Sequence, residues 1–337
     1  MKGEQIMSNY FIRPLCPTDL DRVSEIQSRI TGSPRKPFFE KLLGQVTANP
    51  KGFISCGAGE GSTLLGFAFA RIQEGDFGSP DTVAVLDVIG VATEAQGKGI
   101  GRKVISGIEE IMVKKGIHTL KTQSEWSDRA MTGFFTASGF KLASSQIVER
   151  DTSPLCEEVA EIAPVRMDSR WQVHSSAGGN DYDRLSRDRI LIRSFKKEDC
   201  AAIIRIDGKI TGREHQAYFE SKSREMLDEA GVRVSVVAEE DGIVTGFIMA
   251  RVDFGEFGKI DAEAVIDTIG VHPAYKGGGV GHALLSQLLL NLANLKVETV
   301  RTQVSRENYD LQRFLYKCGF DTSQRLVLKK VLNQTHM

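Results

Sequence analysis

Two short glycine-rich segments hold the residues of this sequence that are best suited to bind an anion. The first is QGKGIG, from Gln96 to Gly101, and the second is KGGGVG, from Lys276 to Gly281. An amphipathic pattern typical of a helix follows each of them. Glycines permit backbone angles that expose successive N–H groups, and a helix N-terminus adds the positive end of its dipole. Both segments therefore predict a phosphate site built from backbone.

An acidic residue precedes each glycine segment inside an otherwise apolar run. Asp87 lies in AVLDVIGV and Asp267 lies in AVIDTIGV. A carboxylate among apolar side chains is costly unless it is paired or its pKa is raised, and a raised pKa suits a general base. Two interpretations stay open. Each aspartate is either a general base or a structural carboxylate that caps backbone N–H groups or pairs with an arginine such as Arg71 or Arg251.

Composition narrows the class of protein. The chain has 337 residues, enough for two domains, and 41% hydrophobic with 26% charged residues is typical of a globular protein. The net charge of −1 predicts neither a nucleic-acid partner nor a membrane partner. Five cysteines without a C-x-x-C pair, and a start without a signal-peptide pattern, predict a cytoplasmic protein. No His/Cys cluster suggests a metal site.

The sequence repeats itself once. At an ungapped offset of 180 residues, residues 12–140 and 192–320 share 36 identities. The two glycine segments and the two aspartates coincide in this alignment. A period this long indicates two copies of one domain, because solenoid repeats have periods of roughly 20–50 residues.

Each copy has the same order of predicted elements. A short strand precedes two helices, three strand-like segments, the glycine loop with its helix, and then a strand, a helix and a last strand. This order predicts two α+β domains, each with a mixed, mostly antiparallel sheet flanked by helices. We place the domains at residues 8–150 and 189–333, with a linker at 151–188. We expect the last strand to complete the sheet of its own copy, and the two copies to pack on each other.

The spacing of the glycines distinguishes between nucleotide motifs. A Walker A loop needs Lys followed by Ser or Thr, and a dinucleotide loop needs G-x-G-x-x-G after the first strand of its unit. Neither pattern is present, so the remaining choices are a turn without a ligand and the pattern Q/R-x-x-G-x-G/A. Residues 96–101 match that pattern fully, whereas residues 276–281 match it with Lys276 in place of Gln or Arg.

With these motifs, both copies resemble the GNAT superfamily of acyl-CoA-dependent N-acyltransferases. The resemblance also rests on FFTASGF and FLYKCGF near the end of each copy. It implies that the backbone of both loops binds the pyrophosphate of acetyl-CoA or another acyl-CoA, and that the preceding strand ends pair with pantetheine and supply oxyanion donors. The implied cofactor-binding residues are Ile89, Gly90, Val91, Gln96, Gly97, Lys98, Gly99, Ile100, Gly101, Ile269, Gly270, Val271, Lys276, Gly277, Gly278, Gly279, Val280 and Gly281, with Asn308 as a pantetheine contact or a helix N-cap.

The proton donor expected from the resemblance is missing. The family has a tyrosine where this chain has Phe135 and Leu315, and neither side chain can protonate a thiolate. Tyr316, one residue further on, is the candidate acid in the second copy, with water as the alternative. One or both copies could instead lack catalysis, which leaves an acyl-CoA-binding regulatory or structural module as the alternative function.

The resemblance implies acyl transfer to an amine of a small molecule, or to a lysine or N-terminus of a protein. The first two helices of each copy are expected to form the acceptor site. Glu74, Asp76 and Glu256 are candidates to attract a cationic amine, and otherwise solvated turn residues. His215 and His272 are weaker candidates for substrate contacts.

Overall fold

The computed structural model describes residues 10–74, 82–155, 190–224, 226–227, 233–254 and 262–332. Asp76, Glu256 and most of the expected linker lie outside these residues. Glu74 ends a strand, but its side chain is not described. Within the described residues, none of the helices has the length and apolar character needed to cross a membrane.

The first copy contains the predicted order of strands and helices. Its elements are β1 (Tyr10–Arg13), α1 (Leu20–Thr31), α2 (Lys36–Ala48), β2 (Phe53–Glu60), β3 (Thr63–Glu74), β4 (Thr82–Val91), α3 (Ile100–Lys114), β5 (Thr119–Glu125), α4 (Arg129–Ala137), β6 (Lys141–Leu142) and β7 (Ser145–Asp151).

The second copy repeats this order. Its elements are β8 (Leu191–Ser194), α5 (Cys200–Thr211), α6 (Gln216–Arg224), β9 (Val236–Glu240), β10 (Ile243–Phe254), β11 (Ala262–Val271), α7 (Val280–Asn294), β12 (Thr299–Ser305), α8 (Tyr309–Lys317), β13 (Asp321–Thr322) and β14 (Arg325–Val331).

The copies exchange their last long strands. One seven-stranded sheet has the order β1-β2-β3-β4-β5-β14-β6, and the other has β13-β7-β12-β11-β10-β9-β8. Strand β14 pairs antiparallel with β5 along its whole length, and β7 pairs in the same way with β12. The expectation that each last strand completes its own sheet was therefore wrong. The predicted α+β class is confirmed, with two mixed sheets flanked by helices.

The exchanged strands belong to the core of the sheet that they enter. Leu328 of β14 packs in the core of the first copy, and Val148 of β7 packs in that of the second. Where the two strands pass each other, Ala143, Ile147 and Val327 form a separate small apolar cluster. The two halves are thus joined through both cores and through backbone hydrogen bonds.

Candidate functional site

A fork opens in each sheet between the strand that carries the aspartate and the next parallel strand. Strands β4 and β5 pair only at Ala84–Leu120 and Val85–Lys121, so their described ladder stops well before the end of β4. In the second copy the ladder between β11 and β12 stops at Ile266 and Thr302. Beyond these points the ends of β4 and β11 present a strand edge to the fork. An extended chain such as pantetheine could pair with such an edge.

A β-bulge stands at the root of each fork. Phe69 pairs with Val88 and Ala70 with Leu86, which leaves Asp87 as the extra residue of β4. Asp267 is the extra residue of β11 in the same way. A bulge interrupts side-chain alternation and re-aims a side chain, and bulges are over-represented next to active sites. Both predicted aspartates therefore lie where each strand turns away from its neighbour.

The glycine loops have the backbone geometry expected for an anion site. Gly97 and Gly99 have φ of 75° and 79°, and Gly277 and Gly279 have φ of 82° and 83°. A Cβ atom at any of these four positions would meet open space, so glycine is required there for conformation and not for packing. The loop residues are exposed, and the helix that follows begins at Ile100 or Val280. Backbone N–H groups of a helix N-terminus are thus open to a ligand.

The other predicted loop residues have different surroundings. Ile100 and Val280 are buried, so only their backbone N–H groups remain available to a phosphate. A Cβ atom on Gly101 would lie 2.9 Å from the Phe134 ring, so this glycine is needed for close packing of α3 against α4. Gln96 donates a hydrogen bond to the Val91 carbonyl oxygen (3.3 Å), which ties the loop to the strand end.

Asp87 forms a buried pair with Arg71. The arginine Nε lies 2.7 Å from one carboxylate oxygen, and a terminal guanidinium nitrogen lies 3.0 Å from the other. Burial raises the pKa of Asp87 against the opposing attraction of Arg71. The structure therefore shows the arginine pair of the structural interpretation. It also shows the raised Asp87 pKa of the general-base interpretation.

Asp267 has two cationic partners. Arg251 bonds to one carboxylate oxygen, and Lys222 Nζ lies 3.4 Å from the other. Burial disfavours the charged form, but Arg251 and Lys222 outweigh it and hold the pKa of Asp267 below its usual range. Lys222 takes the place of Leu42 of the first copy at the offset of 180 residues. The surroundings therefore raise the pKa of Asp87 and lower the pKa of Asp267.

A cavity of about 440 Å³ lies between the two halves. It reaches the fork of the second copy, where Asp267 to Ile269 and Thr302 to Ser305 form its wall. The first copy contributes parts of β3, β4 and β5. Six of the lining side chains are basic and one is acidic, namely Arg71, Lys121, Lys222, Arg251, Arg301, Lys329 and Asp267. Sequence reasoning did not find this cavity, because the strand exchange brings its walls together.

Thr268 is a further polar residue of this wall. It is 3% exposed, and its hydroxyl has no hydrogen-bond partner among the described residues. A buried hydroxyl without a partner costs free energy, and the Thr268 hydroxyl is therefore available to hydrogen-bond a ligand in the cavity. The first copy has Val88 at the matching position. In the sequence, this difference between the aligned copies is the feature that could have identified Thr268 as a candidate site residue.

The remaining candidates lie at the ends of α4 and α8. Phe135 and Leu315, at the place of the expected tyrosine, are buried. Tyr316 is 40% exposed, and its hydroxyl bonds to Gln146 and Thr322. It is not among the residues that line the cavity, which argues against a role as proton donor there.

Asn308 does line the cavity. Its side-chain oxygen accepts the Leu311 backbone N–H, so Asn308 is the N-cap of α8.

The family model of the acetyltransferase (GNAT) family matches residues 20–140 and 190–320. The chain belongs to this family. The two matched segments contain both glycine loops, both bulges and both forks, so the tandem GNAT resemblance seen in the sequence is confirmed.

Solved GNAT structures have a similar fold over nearly the whole length of this chain. A tandem GNAT protein from the clavulanic acid biosynthesis pathway has a TM-score of 0.61 at 15% identity, over 97% of this chain and all of that chain. A GCN5-related N-acetyltransferase from Sphaerobacter thermophilus has a TM-score of 0.58 at 14% identity, over 96% of each chain. At these identities the likeness shows the fold.

Two relatives with assigned activities each align with a segment of this chain that is about as long as one copy. The L-amino acid N-acyltransferase MnaT of Escherichia coli K12 is 33% identical over 113 residues, which is 29% of this chain and 60% of that enzyme. The L-methionine sulfoximine/L-methionine sulfone acetyltransferase of Salmonella typhimurium LT2 is 28% identical over 150 residues, which is 40% of this chain and 82% of that enzyme.

Proposed function

We propose that the protein transfers an acyl group, in the simplest case acetyl, from acyl-CoA to the amine of a small molecule. The observation that carries the proposal is the fork beside an exposed positive-φ glycine loop, present in both copies. Acyl-CoA supplies the activated thioester. The loop amides would bind its pyrophosphate, and the edges at Ile89 to Val91 and Ile269 to Val271 would pair with pantetheine and provide oxyanion donors.

The second copy is the proposed site of the reaction. Its fork opens into the cavity, and Asp267 and Thr268 border that cavity. An ionised Asp267 would hold the incoming ammonium and accept its proton through a water molecule, which leaves a neutral amine to attack the thioester. The thiolate would be protonated by water. We propose a cytoplasmic location on the cysteine pattern of the sequence.

One observation favours an alternative for the first copy. Asp87 lies behind Arg71 and, unlike Asp267, is not among the residues that line the cavity. The first copy could therefore hold acyl-CoA without turnover. Thiol release from acetyl-CoA in the presence of a panel of amines separates the two functions. Turnover above buffer hydrolysis supports an enzyme, and its absence with intact CoA binding supports a binding module.

Both loops are expected to bind CoA. Calorimetry should show close to two sites for each chain, and Gly99→Asp and Gly279→Asp should each remove one. Each change adds a side chain at a left-handed backbone position and a negative charge toward the phosphates. Gly44→Asp, on the surface away from the loop, is the control and should keep both sites. Two sites in Gly279→Asp would show that the second loop is only a turn.

The substitution Thr268→Val should make the protein more stable and less active. The change removes a buried hydroxyl without a partner, so the melting temperature should rise by a few degrees. If the hydroxyl contacts the acceptor, kcat/KM should fall up to about tenfold, the value of one hydrogen bond. Val88→Thr is the matched change in the first copy and should lower stability without affecting kcat/KM. An unchanged kcat/KM in Thr268→Val would remove this residue from the acceptor site.

A further inference from the structure

We propose that a buried network of ionised side chains closes the fork of the first copy to the amine acceptor. The network consists of Asp253, Glu263, Arg301 and Arg325, and we refer to it as the ionic network. The inference rests on the proposed acyl transfer and adds the residues that confine the reaction to the second copy.

The four side chains of the ionic network are buried and bonded to one another. Their residues are only 4–8% exposed. Glu263 lies between the two arginines, because Arg301 Nε is 3.1 Å from one carboxylate oxygen and Arg325 bonds to the other. Asp253 lies 3.4 Å from Arg301. Opposite charges thus alternate along the network, which offsets part of the cost of burying them.

The two arginines of the network lie on one wall of the fork of the first copy. The described ladder between β4 and β5 ends at Lys121, so Gln123 and Glu125, which follow on β5, belong to the fork. Arg301 donates a hydrogen bond to the Gln123 side-chain oxygen (3.3 Å). Arg325 Nε lies 3.4 Å from a Glu125 carboxylate oxygen. Residues of the second copy therefore fill the space beside this wall.

The network also reaches the roots of both forks. Burial is the main cause of the raised pKa of Asp87, and the Asp253 carboxylate adds to the rise. Arg251 Nε lies 2.8 Å from Asp253, and the same guanidinium bonds to Asp267. The network thus extends from the wall of the first fork to the bulges that carry the two aspartates.

The equivalent place in the other half of the molecule is open. At the offset of 180 residues, Asp253, Glu263 and Arg325 correspond to Gln73, Val83 and Ser145, in that order. These three counterparts line the cavity, and so do Gln303 and Ser305, the counterparts of the two β5 residues on the first fork. The fourth position is basic in both halves, as Arg301 and Lys121. The cavity and the ionic network therefore occupy matching places.

The difference in side-chain size decides which fork an acceptor can reach. Valine and serine leave the space in front of Asp267 open, whereas the longer glutamate and arginine fill the matching space in front of Asp87. Glycine loops are present in both copies, so acyl-CoA binding is not what differs. Under the proposed function, both copies hold acyl-CoA and only the second receives an amine.

A closing variant transfers the network to the cavity. Val83→Glu with Ser145→Arg gives the cavity wall the counterparts of Glu263 and Arg325 and leaves the net charge unchanged. Thiol release from acetyl-CoA should fall at least about tenfold, because the amine is kept from its position. Calorimetry should still show both CoA sites, since neither glycine loop is altered.

An opening variant performs the reverse exchange. Glu263→Val with Arg325→Ser removes one charge of each sign and should open a cavity at the first fork. Glu263→Gln with Arg325→Met is the matched control, because it removes both charges but keeps the size of both side chains, and the fork should stay closed. If the opening variant does not melt cooperatively, Arg325→Ser alone serves in its place, since Glu263 then keeps Arg301 as its partner.

Cysteine labelling measures access to each fork without acyl transfer. Thr268→Cys places a thiol in the cavity wall, and Val88→Cys places one at the matching residue of the first copy. Iodoacetamide should label Thr268→Cys at least about tenfold faster, because a thiol without access to solvent is inert. The closing variant should slow labelling of Thr268→Cys, and the opening variant should speed labelling of Val88→Cys. Peptide mass spectrometry locates the label, and Cys16, which contacts Arg13 and Asp19, is the internal reference.

The labelling rates separate this inference from the proposed function. Both expected changes support closure by the ionic network even if no amine gives thiol release, in which case acyl transfer is what fails. Equal labelling of the two cysteines in the otherwise unchanged protein overturns the inference. A Val88→Cys thiol that stays protected in a cooperatively folded opening variant also overturns it. So does full turnover in a closing variant that protects Thr268→Cys, because the acceptor would then not use the cavity.

Discussion

Replacing Leu328 with aspartate should unfold the N-terminal half of the protein, although Leu328 lies in β14, which belongs to the second copy in sequence. Leu328 is buried in the core of the first copy, because β14 has entered that sheet. Truncation of a buried leucine costs about 2–5 kcal/mol, and a carboxylate without a partner in the core costs more. The total is comparable to the stability of a typical domain.

Hydrogen exchange followed by mass spectrometry shows which half responds. Peptides from β2 to β5 should lose protection first in Leu328→Asp. The matched change Val148→Asp, in the other exchanged strand, should act first on peptides from β9 to β12. Val331→Asp is the control on the same strand, because Val331 is 59% exposed, and it should leave protection unchanged. Loss of protection first in the second copy of Leu328→Asp would mean that each last strand stays in its own sheet.

The exchange could not be predicted from the sequence for a physical reason. Alternation of apolar residues predicts that 325–331 forms a strand, but it does not say which strand will be its neighbour. The two copies have the same pattern, so β7 and β14 fit either core about equally well in chemical terms. Only the three-dimensional path of the short connections after α4 and α8 separates the two arrangements. In contrast, the repeat, the glycine loops and their helices follow from local periodicity, and the structure shows them at the expected residues.

The candidate site was predictable where local rules apply. The sequence identified Asp87 and Asp267 and left open an arginine pair, and the structure shows Arg71 and Arg251 beside them. It did not reveal Lys222, because the partner comes from a distant helix. Differences between the aligned copies, such as Lys222 against Leu42, mark positions where the two sites diverged.

The strand exchange also bears on the proposed reaction. Strand β14 carries Lys329 to the cavity, and β5 of the first copy carries Lys121. The fork that would present the thioester belongs to the second copy. Under the proposed function, one copy supplies the fork and both copies supply the acceptor pocket. A duplicated domain can thus give up turnover in one copy and still be needed for the reaction.

Asp267→Asn should lower kcat at least about tenfold while the affinity for CoA changes little. General-base assistance is typically worth about 10²–10⁴-fold, but the lowered pKa of Asp267 makes it a weaker base, so we expect a loss of about tenfold or somewhat more. The variant keeps the shape of the side chain and removes the charge that would hold the ammonium. Thiol release under saturating acetyl-CoA measures kcat, and calorimetry with CoA measures the affinity.

Asp87→Asn is the matched control, because it breaks the equivalent buried pair in the first copy. Removing one partner of a buried ion pair typically costs about 3–5 kcal/mol, so both variants should lose stability in urea titrations. Only Asp267→Asn should lose kcat when both are assayed well below their melting temperatures, since Asp267 borders the cavity and Asp87 lies behind Arg71. Equal losses of kcat would indicate that both copies catalyse. An Asp267→Asn protein with lower stability and unchanged kcat would show that this carboxylate serves the ionic network and that the proton leaves by another route.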